Sequence, residues 1–209
     1  ELMLTWNDAF KLANKPFRYN LSVGLADNTS EITKFDNPSK ILSDYYVGQK
    51  LGDIWGYVVD GLFRTDEEAA NYNVDQTAVN FVINTAQVNP GLHAGDMKFV
   101  DLDGDHTISS GSNTADDPGD RKIIGNSLPR YTYSIQGGFD WYGFDFSIYL
   151  QGVGHQDWYP GTNSVFFWGP YARPYSSFIP RDFLSQVWSP ENPDAYFPRP
   201  IGYLALGNN

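Results

Sequence analysis

Cysteine is absent from all 209 residues. That excludes disulfides and thiolate metal sites, and it leaves the redox compartment open. Basic side chains are scarce: 14 Lys and Arg stand against 25 Asp and Glu, a net charge of −11. So acidic a chain is a poor match for nucleic acid, whose phosphates need Lys and Arg. It is an equally poor match for peripheral docking on anionic lipid. It suits an outward-facing or cation-binding surface. No run approaches the roughly 18 consecutive apolar residues of a transmembrane helix, and no signal peptide is recognisable. Alternating strands cross a bilayer without such runs. Catalytic signatures are missing as well. His93, His106 and His155 are isolated in sequence, with no Gly-x-Ser-x-Gly elbow, metalloprotease helix or phosphate loop. Asp140 and Asp145 read as solvated turn residues rather than a glycosidase pair. The expectation is a protein that is not an enzyme.

What is present is apolar, aromatic and rich in turns. Hydrophobic residues make up 41% and charged residues 19%, which places the chain outside the disordered class. Aromatics reach 16%, a level that suits girdled barrels, carbohydrate-stacking surfaces and β-sandwiches alike. The 20 Gly and 13 Pro imply many turns and long loops.

The clearest pattern lies in residues 131–153. Tyr131, Tyr133, Ile135, Phe139 and Trp141 alternate with polar residues, as do Phe144, Phe146, Ile148 and Leu150. Only Tyr142-Gly143 separates the two runs. A two-residue hairpin then pairs Trp141 with Phe144, Phe139 with Phe146 and Ile135 with Leu150 on one face. A slip of one residue would scatter that face, so the register is well specified. Each arm has about the ten residues a tilted strand needs to cross a bilayer. Taken alone, the same pattern fits a half-buried hairpin of a soluble β-protein.

Leu2, Leu4 and Trp6 alternate in the same way, and so do Phe17, Tyr19, Leu21, Val23 and Leu25. Residues 1–34 therefore read as a second hairpin, with a longer turn over 8–16 and a continuation through Ile32 to Phe35. Residues 35–130 read as a long loop region. Within it Thr65 caps a short helix and Glu68 closes a capping box, residues 76–87 form another helical turn, and Gly95 to Val100 a short strand. Residues 154–209 form an aromatic and Pro-rich loop, with a helical turn at 183–188. Short turns on one side and long segments on the other follow the outer-membrane barrel pattern. The chain reads as a fragment of something longer.

Two constellations carry candidate chemistry. Asp101, Asp103 and Asp105 occupy the first, third and fifth positions of a calcium loop, and Thr107 offers its carbonyl at the seventh. Ile108 would anchor a small sheet or core. Two departures stand out. His106 occupies the position where Gly normally makes the sharp turn, and Ser112 falls where the bidentate acid belongs. Asp116, Asp117 or Asp120 would have to supply that acid after an insertion. A bound cation, calcium first, and an empty acidic turn both fit. The second constellation is the aromatic set Trp158, Tyr159, Phe167, Trp168 and Tyr171. It reads as a ligand- or partner-binding surface, a membrane girdle or a loop core.

Several ordered segments resemble one family, the SusC/RagA-like TonB-dependent outer-membrane receptors of Bacteroidetes. They include Phe17-Arg18-Tyr19-Asn20-Leu21-Ser22-Val23, Gly52-Asp53-Ile54-Trp55-Gly56-Tyr57 and Asp60-Gly61-Leu62-Phe63. Gly95-Asp96-Met97-Lys98-Phe99-Val100-Asp101, Asp120-Arg121-Lys122-Ile123-Ile124-Gly125, Pro129-Arg130-Tyr131 and Trp188-Ser189-Pro190-Glu191-Asn192-Pro193 follow. The resemblance implies an all-β fold: an antiparallel transmembrane β-barrel segment with long extracellular loops containing short helices. It divides the chain into barrel hairpins at 1–34 and 131–153 and extracellular loops at 35–130 and 154–209. It gives Asp120 the place of the twelfth-position acid. It implies import of glycans or peptides across the outer membrane. The expected partners are a SusD-like surface lipoprotein, the glycan or peptide ligand, outer-membrane lipid, and TonB through a plug region outside this chain. The alternative reading is a secreted, calcium-stabilised carbohydrate-binding β-module.

Overall fold

The structure is a computed structural model that describes residues 1–79, 91–160 and 178–200. The chain divides into two compact units. The first comprises Glu1–Lys34, Val47–Ile54 and Gly125–Trp158, and the second Phe35–Tyr46, Trp55–Ile124 and Tyr159–Asn209. Strands dominate, and the two described helices are short. No helix among the described residues is long and apolar enough to cross a membrane.

The first unit is built on four long strands: β1 (Leu2–Leu12), β2 (Lys15–Ala26), β7 (Arg130–Trp141) and β8 (Phe144–His155). They form one antiparallel sheet in the order β1-β2-β7-β8. The expected register of the second hairpin is observed: Trp141 faces Phe144, Phe139 faces Phe146 and Ile135 faces Leu150. Its turn residues, Tyr142 and Gly143, both take positive φ (51° and 86°), the twist that tight hairpins require.

The first hairpin is tighter than the sequence suggests. β1 runs straight through Asn7 and Asp8, which pair with Asn20 and Tyr19. The turn is Ala13-Asn14 alone, at φ 49° and 61°. A polar pair inside a solvated or half-solvated strand costs little once its backbone bonds are made, so Asn7-Asp8 does not break the ladder. β2 also stops at Ala26 rather than continuing to Phe35. Asp27 turns its carboxylate to the Arg130 guanidinium instead, with bonds of 2.5 and 2.7 Å.

Register sorts the side chains. Leu4, Val23, Ile135 and Leu150 form one row across the sheet, and Trp6, Leu21, Gly137 and Ile148 the next. Near the turns the rings of Phe10, Phe17, Phe139 and Phe146 stand in a chain at centroid spacings of 5.0, 5.3 and 5.4 Å. Each such pair is worth about 0.5–1.5 kcal/mol beyond its buried area. This apolar face lies open: Leu4 is 61% exposed and Phe144 69%. The opposite face carries Thr5, Ser22, Gln136 and Tyr149 in one row, and a hydroxyl bond joins Thr5 to Ser22.

The remaining elements are short. β3 (Asp53–Tyr57) pairs with β6 (Arg121–Asn126), and β4 (Val59–Leu62) with β5 (Met97–Phe99). Helix α1 is Asp66–Ala70, and α2 is Phe183–Gln186. The Thr65 hydroxyl accepts from the Glu68 amide as expected, but Glu68 returns its bond to the Arg64 amide rather than to Thr65. Residues 77–79 form a turn; the rest of the helical turn expected there lies outside the described residues. In the second unit Phe63 and Ile108 are fully buried, with Phe99, Val187 and Phe183 close to it. Buried Gln76 substitutes for a neighbouring strand at β5. Its side-chain oxygen accepts from the Phe99 amide, and its amide donates to the Met97 carbonyl.

Candidate functional site

The acidic loop folds through its own carboxylates. Asp101 accepts from the amides of Gly104 (2.6 Å) and His106 (2.9 Å). Asp103 accepts from Asp105 (3.2 Å), and Asp105 from Thr107 (2.7 Å). These side-chain-to-backbone bonds curl the segment into successive Asx turns. His106 takes φ 64° at the position where the loop usually has Gly. Histidine is among the non-glycine residues that tolerate this region, so the turn survives the substitution. The Ile108 side chain anchors the loop in the core, and Asp75 pairs beside Thr107 in a parallel bridge.

Residues 109–120 leave and return at one point. The Asp120 amide donates to the Ser109 carbonyl at 3.0 Å. The excursion is held by Ser112 on Asp117 and by Arg121 on the Ser110 carbonyl and Asn113. The insertion is thereby looped out, and Asp120 enters the acidic loop. Its carboxylate is fully buried and accepts from the amides of Leu102 and Ser109, both at 2.7 Å. Oxygen atoms of Asp101, Asp103 and Asp120 lie within 4.8 Å of one another. Asp105 falls outside this group and Thr107 contributes no carboxylate to it. Asp116 and Asp117 are engaged elsewhere, Asp116 with Lys40 at 2.8 Å and Asp117 with Ser112.

The surroundings act on the two outer carboxyls in opposite directions. Burial works to raise Asp101, but the amides of His106 and Gly104 and the His106 ring outweigh it and hold the carboxyl below its usual value. For Asp103 the Asp105 amide works downward. Burial and the charges of Asp105, Asp120 and Asp101 outweigh that and push its carboxyl up. An all-oxygen, carboxylate-rich donor set fits a hard cation such as calcium, and the absence of thiolates disfavours softer metals. The residues present therefore fit the ion that the loop pattern implies.

The aromatic set is only partly described. Trp158 is 72% exposed and Tyr159 is also exposed. Phe167, Trp168 and Tyr171 lie outside the described residues. Residues outside these two constellations sit on the polar face of the sheet. There Met3, Gly24, Ser134 and Gln151 share one row. Their signal was the period-two alternation itself, which assigns the polar positions to a common face as firmly as the apolar ones.

No protein-family model matches the chain. In an alignment of 160 positions that covers 66% of the chain, it is 28% identical to a protein of Formosa agariphila described as a TonB-dependent receptor. The similarity points to the TonB-dependent receptors. The matched stretch amounts to 15% of that relative's length. A receptor of this kind agrees, at a coarse level, with the expectation of a transport protein rather than an enzyme. It does not distinguish the SusC/RagA subtype.

Proposed function

We propose that this chain is part of a SusC/RagA-like TonB-dependent outer-membrane receptor, importing glycans or peptides with a SusD-like surface lipoprotein. The observation that carries the proposal is the four-stranded sheet with one open, largely apolar face, interrupted in β1 by Asp8 opposite Tyr19, and both two-residue turns at the same end. Strands of 11 or 12 residues rise about 3.3 Å per residue. At a tilt of roughly 45° they cover the ~25 Å apolar band of an outer-membrane barrel. The apolar face then meets lipid and the polar face lines the lumen. The turns at 13–14 and 142–143 are periplasmic. The segment from Asp27 to Pro129, which joins adjacent strands, is extracellular and contributes to the ligand cavity and lipoprotein contact. TonB acts through a plug outside this chain.

In this reading Asp101, Asp103 and Asp120, with the Thr107 carbonyl and Asp105 at its edge, hold a calcium ion that stiffens the extracellular region. The test uses the full-length gene product with an epitope tag inserted between Gly111 and Gly119. Supporting results are recovery in outer-membrane fractions only with detergent, antibody labelling of the tag on intact cells, and co-purification of a surface lipoprotein. Recovery as a detergent-free soluble monomer overturns the proposal.

A further inference from the structure

The polar face of the sheet holds a hollow of about 580 Å³ at the end away from the turns, within the ~300–1,000 Å³ range of small-ligand sites. Gly24 and Ser134 form its floor, opposite each other in β2 and β7. A Cβ added to Gly24 would lie 2.8 Å from the Ser134 hydroxyl. Gly24 does not need positive φ, so the backbone alone does not demand glycine there. Glycine inside a strand costs roughly 0.5–1 kcal/mol relative to Ala. What glycine provides at this position is space. Met3 stands on one side of that space and Tyr149 and Gln151 on the other.

The lining has a distinct chemistry. Tyr149 is 59% exposed, and its hydroxyl donates to the Gln151 side-chain oxygen at 3.3 Å. The Gln151 amide N–H groups have no protein acceptor among the described residues. Ser134 and Thr132 also line the hollow, the Thr132 hydroxyl donating to the Ala26 carbonyl at 3.2 Å. The charged member of the lining is Glu1, and no Lys or Arg contributes. Anionic ligands need such cations. Among the cations of this face, Arg18 pairs with Asp140 at the turn end. Extended peptides are commonly taken up along an open strand edge, but β2 and β7, which form the floor, are paired on both sides. A phenol ring beside a neutral amide and hydroxyls matches a ligand with one C–H-rich face and a rim of hydroxyls.

We propose that this hollow is a wall subsite for an uncharged sugar residue, with Tyr149 as the stacking platform and Gln151 and Ser134 as hydrogen-bonding partners. It rests on the reading of the sheet as barrel wall with the polar face inward. It selects neutral glycans over peptides and acidic glycans as the ligand at this point.

The test uses the full-length receptor purified in detergent. Calorimetry and saturation-transfer NMR are run against neutral hexasaccharides of glucose, mannose and xylose, a galacturonic acid hexamer and hexaalanine. At least one neutral hexasaccharide is expected to bind. Tyr149→Leu should weaken it by about two- to tenfold, the scale of one lost stacking contact, and Gly24→Val, which fills the floor, should weaken it as well. Tyr149→Phe should retain both affinity and saturation transfer, which separates ring stacking from a structural role of the hydroxyl. Heat-modifiable gel mobility reports whether each variant is folded. Unchanged affinity in folded Tyr149→Leu and Gly24→Val overturns the subsite. So does binding of none of the neutral sugars, or of the acidic hexamer or peptide alone. A receptor that proves soluble without detergent instead removes the barrel reading beneath it.

Discussion

Placing one arginine on either side of β8 separates a lipid-facing sheet from a solvated one. Ile148 lies on the apolar face, in register with Gly137, Leu21 and Trp6 across all four strands. It is five positions into a 12-residue strand, well inside an apolar band of about 25 Å. In lipid, Ile148→Arg should cost about 2–4 kcal/mol, a roughly 30- to 700-fold change in the folded-to-unfolded ratio at 1.4 kcal/mol per decade. Ser147 is its neighbour on the opposite face. Ser147→Arg should stay within about 0.5 kcal/mol, as exposed substitutions usually do. If water covered both faces, both changes would be small, because Ile148 is already 45% exposed. The assay is urea unfolding of the full-length receptor in lipid vesicles, followed by tryptophan fluorescence and heat-modifiable mobility. Equal midpoints for the two variants would refute the lipid assignment of the face.

Asp27 should make the sheet acid-sensitive in a narrow window. The Arg130 guanidinium, first among its partners, holds its carboxyl down at about 2 from an ordinary 3.8. A depressed folded value means that the contribution is present above the unfolded value and is lost as pH falls from about 4 towards 2. The unfolding midpoints of wild type and Asp27→Asn should therefore differ at neutral pH and converge near pH 2. Calcium should raise the melting temperature of the calcium-free protein and a chelator should reverse it; Asp103→Asn should blunt the effect more than Asp105→Asn, as scanning calorimetry would record. Asp120→Ala should lower stability even without calcium, by about 1–3 kcal/mol, because the Leu102 and Ser109 amides lose their acceptor. Phe63→Ala should cost about 3–5 kcal/mol at a fully buried aromatic site, measured as earlier proteolysis of the second unit.

Much of the sheet was legible in the chain, and the failures are local. Alternation over 131–153 predicts both the strands and their pairing, since only one register keeps Ile135, Phe139, Phe146 and Leu150 together. The turn expected over 8–16 was too long because polar pairs such as Asn7-Asp8 favour turns, whereas here the β1–β2 ladder satisfies their backbone groups and the turn falls at Ala13-Asn14. The acidic loop was legible through Asp101, Asp103 and Ile108. Counting residues, however, put Ser112 in the twelfth position. The family resemblance named Asp120 for that place, and the closure of Ser109 on Asp120 is what brings its carboxylate in.

The sequence by itself determined which residues share a face, because side-chain direction alternates within a strand whatever surrounds it. It also excluded thiolate metal sites, through the absence of cysteine, and transmembrane helices, through the absence of a long apolar run. The tertiary structure decided what those faces sit beside. Ala26 pairs with Thr132 across more than a hundred intervening residues, and that pairing turns two separate hairpins into one four-stranded sheet. Such closure depends on long-range hydrogen bonds and on the Asp27–Arg130 clamp, which no local pattern encodes. The hollow above Gly24 and Ser134 exists only once β2 and β7 lie side by side.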